Sequence, residues 1–218
     1  MDWCAASQQL SALESHQLMP FLLARGLCPP VKEFHLAPKI NFNNYIIELL
    51  LVNRIRNDYN IFMVQNIVIQ IHKLLIEKNY TLATAESCTG GLIAKLLTDL
   101  SGSSKYFILG IISYSNQAKI KILQVPSKLI LKKGAVSQEV ALKMADAVKK
   151  LAKTDFGIAI TGIAGPGGGS AKKAVGTVFI AITGKNQKTC AKFNFKGNRD
   201  TIRRLAALKS LKLLKTLL

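Results

Sequence analysis

Apolar residues recur along this chain with two different periods, and the switches between them mark out the elements. From Val64 to Lys78, the positions Ile67, Ile71, Leu74 and Leu75 follow the i, i+4, i+7, i+8 spacing of an amphipathic helix. A short run, Thr81–Ala85, then meets the polar turn Glu86-Ser87-Cys88-Thr89-Gly90-Gly91, after which Leu92, Ile93, Leu96 and Leu97 resume helical spacing. This is strand, turn, helix. Phe107–Tyr114 is an eight-residue apolar run rich in β-branched side chains, set between Ser-Gly-Ser-Ser and Ser-Asn, and predicts a buried strand. Ser115 or Asn116 can cap a following helix that carries Lys119. Ser137 is placed to cap a longer helix running to Ala152, with Glu139 in its first turn and Val140, Met144, Ala147, Val148 and Leu151 as its buried stripe. Phe156–Thr161 predicts another buried strand. Val175–Thr183 and Thr189–Phe195, on either side of Gly184–Lys188, predict an antiparallel hairpin. A last helix starts at Arg199 or Asp200, with Ile202, Leu205, Leu208, Leu211 and Leu214 facing inward. Strands alternating with helices, plus one hairpin, predict an α/β domain layered α/β/α around a mixed sheet over residues 64–218.

The chain before Asn60 has a different texture. Its first forty residues show no sustained period and contain the stops Cys28-Pro29-Pro30 and Ala37-Pro38. The expectation is an irregular, poorly ordered N-terminal extension over residues 1–60, with one short helix at Ile46–Val52.

Composition narrows the function. With 218 residues, 49% hydrophobic and 19% charged, the chain can bury about 70% of its unfolded surface, which excludes wholesale disorder. Cys4, Cys28, Cys88 and Cys190 form no C-x-x-C, and none of His16, His35 and His72 stands beside a cysteine or another histidine. That argues for free thiols in a reducing compartment and against a metal cluster of known spacing. The N-terminus lacks the basic region of a secretory signal, and no apolar run approaches the ~20 residues of a membrane span. The reading is a soluble, cytoplasmic protein. The net charge of +18 lies wholly downstream of residue 63, because residues 1–63 hold five basic and five acidic side chains. Of the 30 basic residues 24 are lysines, spread singly and not interleaved with aromatics. Base and phosphate recognition draws on clustered arginine, so nucleic acid is not the expected partner, whereas a phosphate on a small substrate fits.

Three polar segments each border an apolar strand, where open α/β sheets place their ligands. In Glu86–Gly91, two hydroxyls and two glycines lie where a helix begins, so free backbone N–H groups would face a phosphate or an oxyanion. The loop Gly162-Ile163-Ala164-Gly165-Pro166-Gly167-Gly168-Gly169-Ser170 lets backbone approach a ligand, yet it matches neither G-x-G-x-x-G nor G-x-x-x-x-G-K-[ST], which excludes dinucleotide and P-loop readings. The third segment joins Ser101-Gly102-Ser103-Ser104 to Tyr114 and Lys119. A nucleophilic serine needs a base, and without a placed histidine the available one is a lysine whose pKa falls on desolvation. Ser104 and Ser87 both stand as candidate nucleophiles. Ser87 has the strand-to-helix position of a nucleophile elbow.

The motifs AESCTGG (85–91), SGSSKYF (101–107), YSNQAK (114–119), GAVS (134–137), TGIAGPGGG (161–169), VGTV (175–178) and FKGNRDTIR (195–203) resemble, in order and spacing, the C-terminal domain of the CinA competence/damage-inducible family. The resemblance implies a nicotinamide-nucleotide amidase: hydrolysis of nicotinamide mononucleotide to nicotinate mononucleotide and ammonia, without metal or other cofactor, in a homodimer. It puts the family's serine–tyrosine–lysine set on Ser104, Tyr114 and Lys119, with Ser87 as a second serine, and lines the pocket with Thr89, Gly90, Thr161, Gly162 and Arg199. Two departures stand out. Lys-Ala-Val-Gly replaces Lys-Pro-Val-Gly before the hairpin, and Gly197-Asn198-Arg199 replaces Gly-Asp-Arg. Residues 1–63 match no part of the family, and the alternative from another class is a non-catalytic binding protein of competence or DNA-damage pathways. A chain starting at Met63 is expected to fold and to keep full amidase turnover; loss of either, measured by circular dichroism and ammonia release, would place residues 1–62 in the core.

Overall fold

A computed structural model describes residues 64–218; the expectations for 1–60, including the helix at 46–52, lie outside the described residues. The elements are α1 (64–77), β1 (Leu82–Glu86), α2 (Leu92–Thr98), a 3-10 turn (Ser103–Lys105), β2 (Phe107–Ile112), α3 (Asn116–Lys121), α4 (Ser127–Lys133), α5 (Gln138–Ala152), β3 (Phe156–Gly162), β4 (Thr177–Thr183), β5 (Lys188–Asn194) and α6 (Arg199–Lys215). The five strands form one mixed sheet in the order β2-β1-β3-β4-β5. β1 pairs in parallel with β2 and β3, while β3–β4 and β4–β5 are antiparallel.

The two faces of the sheet differ in side-chain size, which fixes the layers. Leu82, Ile158, Ile160, Val178, Ile180 and Ile182 fill one face and pack against α1, α2 and α6. On the other face stand Ala83, Ala85, Ala159 and Ala181, small enough for α5 to lie close, with Val140, Met144 and Val148 pressed on them. Gly157 marks the tightest point. A Cβ there would collide with the Ala145 carbonyl and come within 2.7 Å of Lys149 Cβ.

Several expectations change in packing. β2 stops at Ile112 and is an edge strand, with Ile108 and Ile112 half exposed, because nothing among the described residues pairs with its outer side. The stripe of α5 runs through Ala141 and Ala145, and Leu151 is exposed. On α6 the inward positions are Ile202, Ala206, Ala207, Ser210, Leu211 and Leu214, so Leu205 turns outward; close approach to the sheet selects alanine where periodicity suggested leucine. α4, a two-turn helix, lacked any clear apolar period. Overpacking a core costs about 1–3 kcal/mol, so Gly157→Ala should lower the unfolding free energy by that order, read as a lower urea midpoint at an unchanged m-value.

Candidate active site

The site begins at the end of β1. Glu86, 1% exposed, ends the strand with its carboxylate under the first turn of α2, where it accepts from the N–H groups of Gly91 (3.0 Å), Ile93 (3.2 Å) and Ala94 (2.8 Å). These are the donors a helix start leaves unpaired, and an internal anion occupies them. The expectation that they face a substrate anion is therefore corrected: the protein's own carboxylate fills that place. Ser87 follows, its N–H donating to the Ile160 carbonyl on β3 (3.0 Å), so the turn is tied to the sheet centre.

β1 lies beside β2 in parallel, so the residues after Ile112 emerge at the same edge of the sheet. Ser115 caps α3 by accepting from the Ala118 N–H, and this start directs Lys119 back over β1. Lys119 is 1% exposed. Its Nζ lies 3.0 Å from Ser87 Oγ, 2.7 Å from the Ser113 carbonyl and 3.4 Å from the Tyr114 carbonyl. Ser113 is held in turn by its N–H to the Glu86 carbonyl (2.8 Å). No carboxylate pairs with Lys119 among the described residues. Burial holds its pKa below the ordinary lysine value, with a smaller opposing effect from Cys88. As a neutral amine, Lys119 has two N–H donors for the two carbonyls and a lone pair for the Ser87 hydroxyl proton.

Ser87 and Lys119 are thus brought together, with Tyr114 meeting the amine through its carbonyl while its hydroxyl is bonded to Arg199, and Ser104 is not among them. Ser104 is exposed in the 3-10 turn before β2, whereas Ser113 and Tyr114 follow the strand's other end. At about 3.3 Å per residue, the six residues of β2 put Ser104 roughly 20 Å away, at the opposite edge of the sheet. Cys88 is no competitor as a nucleophile, because burial pushes its thiol up to about 11.

The remaining expected residues surround the Ser87 turn in different roles. Arg199, at the start of α6, donates from one guanidinium nitrogen to the Tyr114 hydroxyl (2.6 Å) and from another to the Gly165 carbonyl (2.8 Å). Thr89 offers its carbonyl to Arg203 (2.7 and 3.2 Å), while its own hydroxyl is buried without a partner. Gly90, at φ +60°, leaves room for that guanidinium: a Cβ would meet it at 3.3 Å. Thr161 donates its hydroxyl to the Ala135 carbonyl (2.9 Å), tying β3 to the turn before α5. Gly162 permits β3 to approach β4, where a Cβ would meet Val178 at 2.7 Å. These two therefore serve the scaffold of the site. Lys173 holds the glycine loop by donating to the Lys133 (2.9 Å) and Val136 (2.5 Å) carbonyls. The residues not foreseen are Glu86, which stood in the right motif, and Arg203, one helical turn after Arg199.

Among the described residues no group of three or more His, Cys, Asp or Glu side chains could hold a metal ion, and no helix is long and apolar enough to cross a membrane. A profile of the CinA C-terminal domain matches residues 64–218. A CinA-like protein of Geotalea daltonii is 54% identical over 131 residues, 60% of this chain and 32% of that protein. One from Geobacter sulfurreducens is 48% identical over 141 residues, 65% of this chain and 34% of that protein. The chain thus spans about a third of the length of these curated relatives. Among solved structures, the competence/damage-inducible protein CihA from Agrobacterium tumefaciens superposes with a TM-score of 0.70 at 36% identity, over 71% of this chain and 95% of that one. A competence-damaged protein (CinA) superfamily structure from Escherichia coli gives 0.69 at 37% identity, over 71% and 90%.

The buried amine has a thermodynamic signature. With the folded pKa of Lys119 lowered, the unfolded chain binds more protons, so the stability this group contributes rises with pH through its folded pKa and levels off near the unfolded value. Stability of the wild type relative to Lys119→Met should therefore increase with pH on the alkaline side, up to the ordinary lysine value of about 10.4, in urea titrations; a flat or falling difference would place Lys119 in water.

Proposed function

The chain belongs to the CinA C-terminal domain family, and from that premise we propose that its site hydrolyses the carboxamide of a nicotinamide nucleotide, nicotinamide mononucleotide above all, to the carboxylate and ammonia. The observation that carries the reading is the Ser87 hydroxyl set on a buried lysine amine that no carboxylate among the described residues pairs with. Ser87 Oγ attacks the carboxamide carbon as its proton passes to Lys119 Nζ. The tetrahedral adduct collapses by breaking the C–N bond, and the leaving nitrogen takes the proton from Lys119, with the Tyr114 hydroxyl assisting. Water then gives a proton to the same amine and attacks the acyl-serine; the C–Oγ bond breaks as Lys119 returns that proton to Ser87, and the acid leaves. In the turn, the amides of Cys88 and Thr89 donate to no oxygen among the described residues; we assign them to the oxyanion. Arg199 and Arg203, neither paired with a carboxylate among the described residues, suit an anionic substrate.

The competence-related names of the relatives and the net charge of +18 suggest nucleic-acid binding as the alternative. That role uses surface lysines that neutralise backbone phosphates, whereas Lys119 is buried against a hydroxyl. The family resemblance adds a homodimer, and the cysteine usage a cytoplasmic setting, to the proposal.

The test is ammonia release from nicotinamide mononucleotide with chelator present. Ser87→Ala and Lys119→Met should each lose on the order of 10³-fold or more in kcat, while Ser104→Ala stays within about 3-fold of wild type. Undiminished turnover in Ser87→Ala would overturn the assignment, and no ammonia release by the wild type would overturn the reaction.

A further inference from the structure

The sheet order gives Arg199 a second role. β1 lies between β2 and β3, Ser87 follows β1, Tyr114 follows β2 and Gly165 follows β3. A link from Tyr114 to Gly165 therefore joins the loop on one side of β1 to the loop on its other side. That link exists: one guanidinium nitrogen of Arg199 bonds the Tyr114 hydroxyl at 2.6 Å, and another bonds the Gly165 carbonyl at 2.8 Å. Ser87, in the loop between them, is only 8% exposed, whereas Tyr114 is 58% exposed.

The strap is fastened at both ends by neutral oxygens. A guanidinium carries five donors in a rigid fork and prefers a bidentate anion to a phenol and a carbonyl. Arg199 is itself exposed and has no carboxylate partner among the described residues. The helix start it occupies adds positive potential, and Arg203 stands one turn further along the same helix. A bidentate anion arriving here would exchange bonds to two neutral oxygens for bonds to a charged acceptor. The Tyr114 hydroxyl, to which the proposed reaction gives a part in proton transfer, is held by Arg199.

We propose that Arg199 is a strap across the Ser87 site which the anionic group of the substrate unfastens, freeing the Tyr114 hydroxyl for proton transfer only when a charged substrate is bound. The strap makes the remote anion a requirement for turnover and not only for affinity. It rests on the amidase reading for the reaction it controls, but the Arg199–Tyr114 contact and its release by an anion can be measured without turnover.

Two readouts test it. The first is optical: ribose 5-phosphate, which carries the anion but no carboxamide, should produce a tyrosine difference spectrum in the wild type that is absent from Tyr114→Phe and from Arg199→Gln. No difference signal at saturating ribose 5-phosphate, or one that survives in Arg199→Gln, overturns the strap. The second is kinetic. Nicotinamide riboside, the same carboxamide without its phosphate, should show kcat lowered by ~100-fold against the mononucleotide, and inorganic phosphate or phosphite added in trans should restore it by ~10-fold, as remote binding energy expressed in kcat requires. Arg199→Gln should lose that activation. Equal kcat for the two substrates, differing only in KM, or the same activation in Arg199→Gln overturns the proposal. If no carboxamide is hydrolysed at all, the amidase reading fails and the optical experiment alone decides the strap.

Discussion

A carboxylate buried under a helix start organises everything around Ser87. Glu86 takes three amide N–H bonds from the first turn of α2, each a charge-assisted contact of the kind worth about 1.5–3 kcal/mol. Without them, burying that charge would cost several kcal/mol. The same residue's carbonyl accepts from the Ser113 N–H, and the Ser113 carbonyl accepts from Lys119 Nζ. One residue thus fixes the helix that follows Ser87 and, through one intermediate, the amine that faces it. It also keeps its own charge occupied. A carboxylate free to turn toward Lys119 would favour the ammonium and raise its pKa, and the amine would lose its value as a base. The helix start, commonly a place for a ligand anion, is here taken by Glu86, and Lys119 is buried without a carboxylate partner among the described residues.

That arrangement places demands on the rest of the sheet. Parallel pairing of β1 with both β2 and β3 brings three loops to one edge, and the small residues on the α5 face let the sheet lie tightly against a single long helix. The closing hairpin reverses direction, and α6 then returns along the other face, so that its first turn meets the loops. The last helix therefore contributes both to the core, through Ile202 and Ala206, and to the site, through Arg199 and Arg203.

How much of this was legible in the sequence depends on what local pattern can express. Period and caps located β1, α2, β3, the hairpin and α5 within a few residues, since Ser137 and the Gly-rich loop are local signals. Ser87 and Lys119 were visible as chemistry, yet nothing in a linear pattern says which end of β2 faces them. Ser104 lies ten residues before Tyr114 in sequence, and a fully extended strand converts that closeness into separation. Leu151 and Leu205 went wrong for a related reason: helical spacing identifies an apolar face, but the sheet chose the alanine-lined face of α6 because closer packing was available there. Glu86 was overlooked because a glutamate in a polar turn looks solvated until the helix above it is seen.

The departure at Asn198 has a physical reading within the same logic. As the cap of α6, Asn198 accepts from the Thr201 N–H at 2.9 Å and from the Thr201 hydroxyl at 3.0 Å. Asparagine and aspartate serve about equally in that position, so the helix start loses little. A carboxylate at 198 would, however, stand next to Arg199 and compete for its guanidinium with Tyr114 and Gly165. With a neutral amide in its place the guanidinium keeps its full charge for whatever lies across the mouth of the site. The cap holds the helix and leaves the electrostatics of the first turn to Arg199; the nearest acid on the helix, Asp200, is drawn away to Arg204 at 2.8 Å.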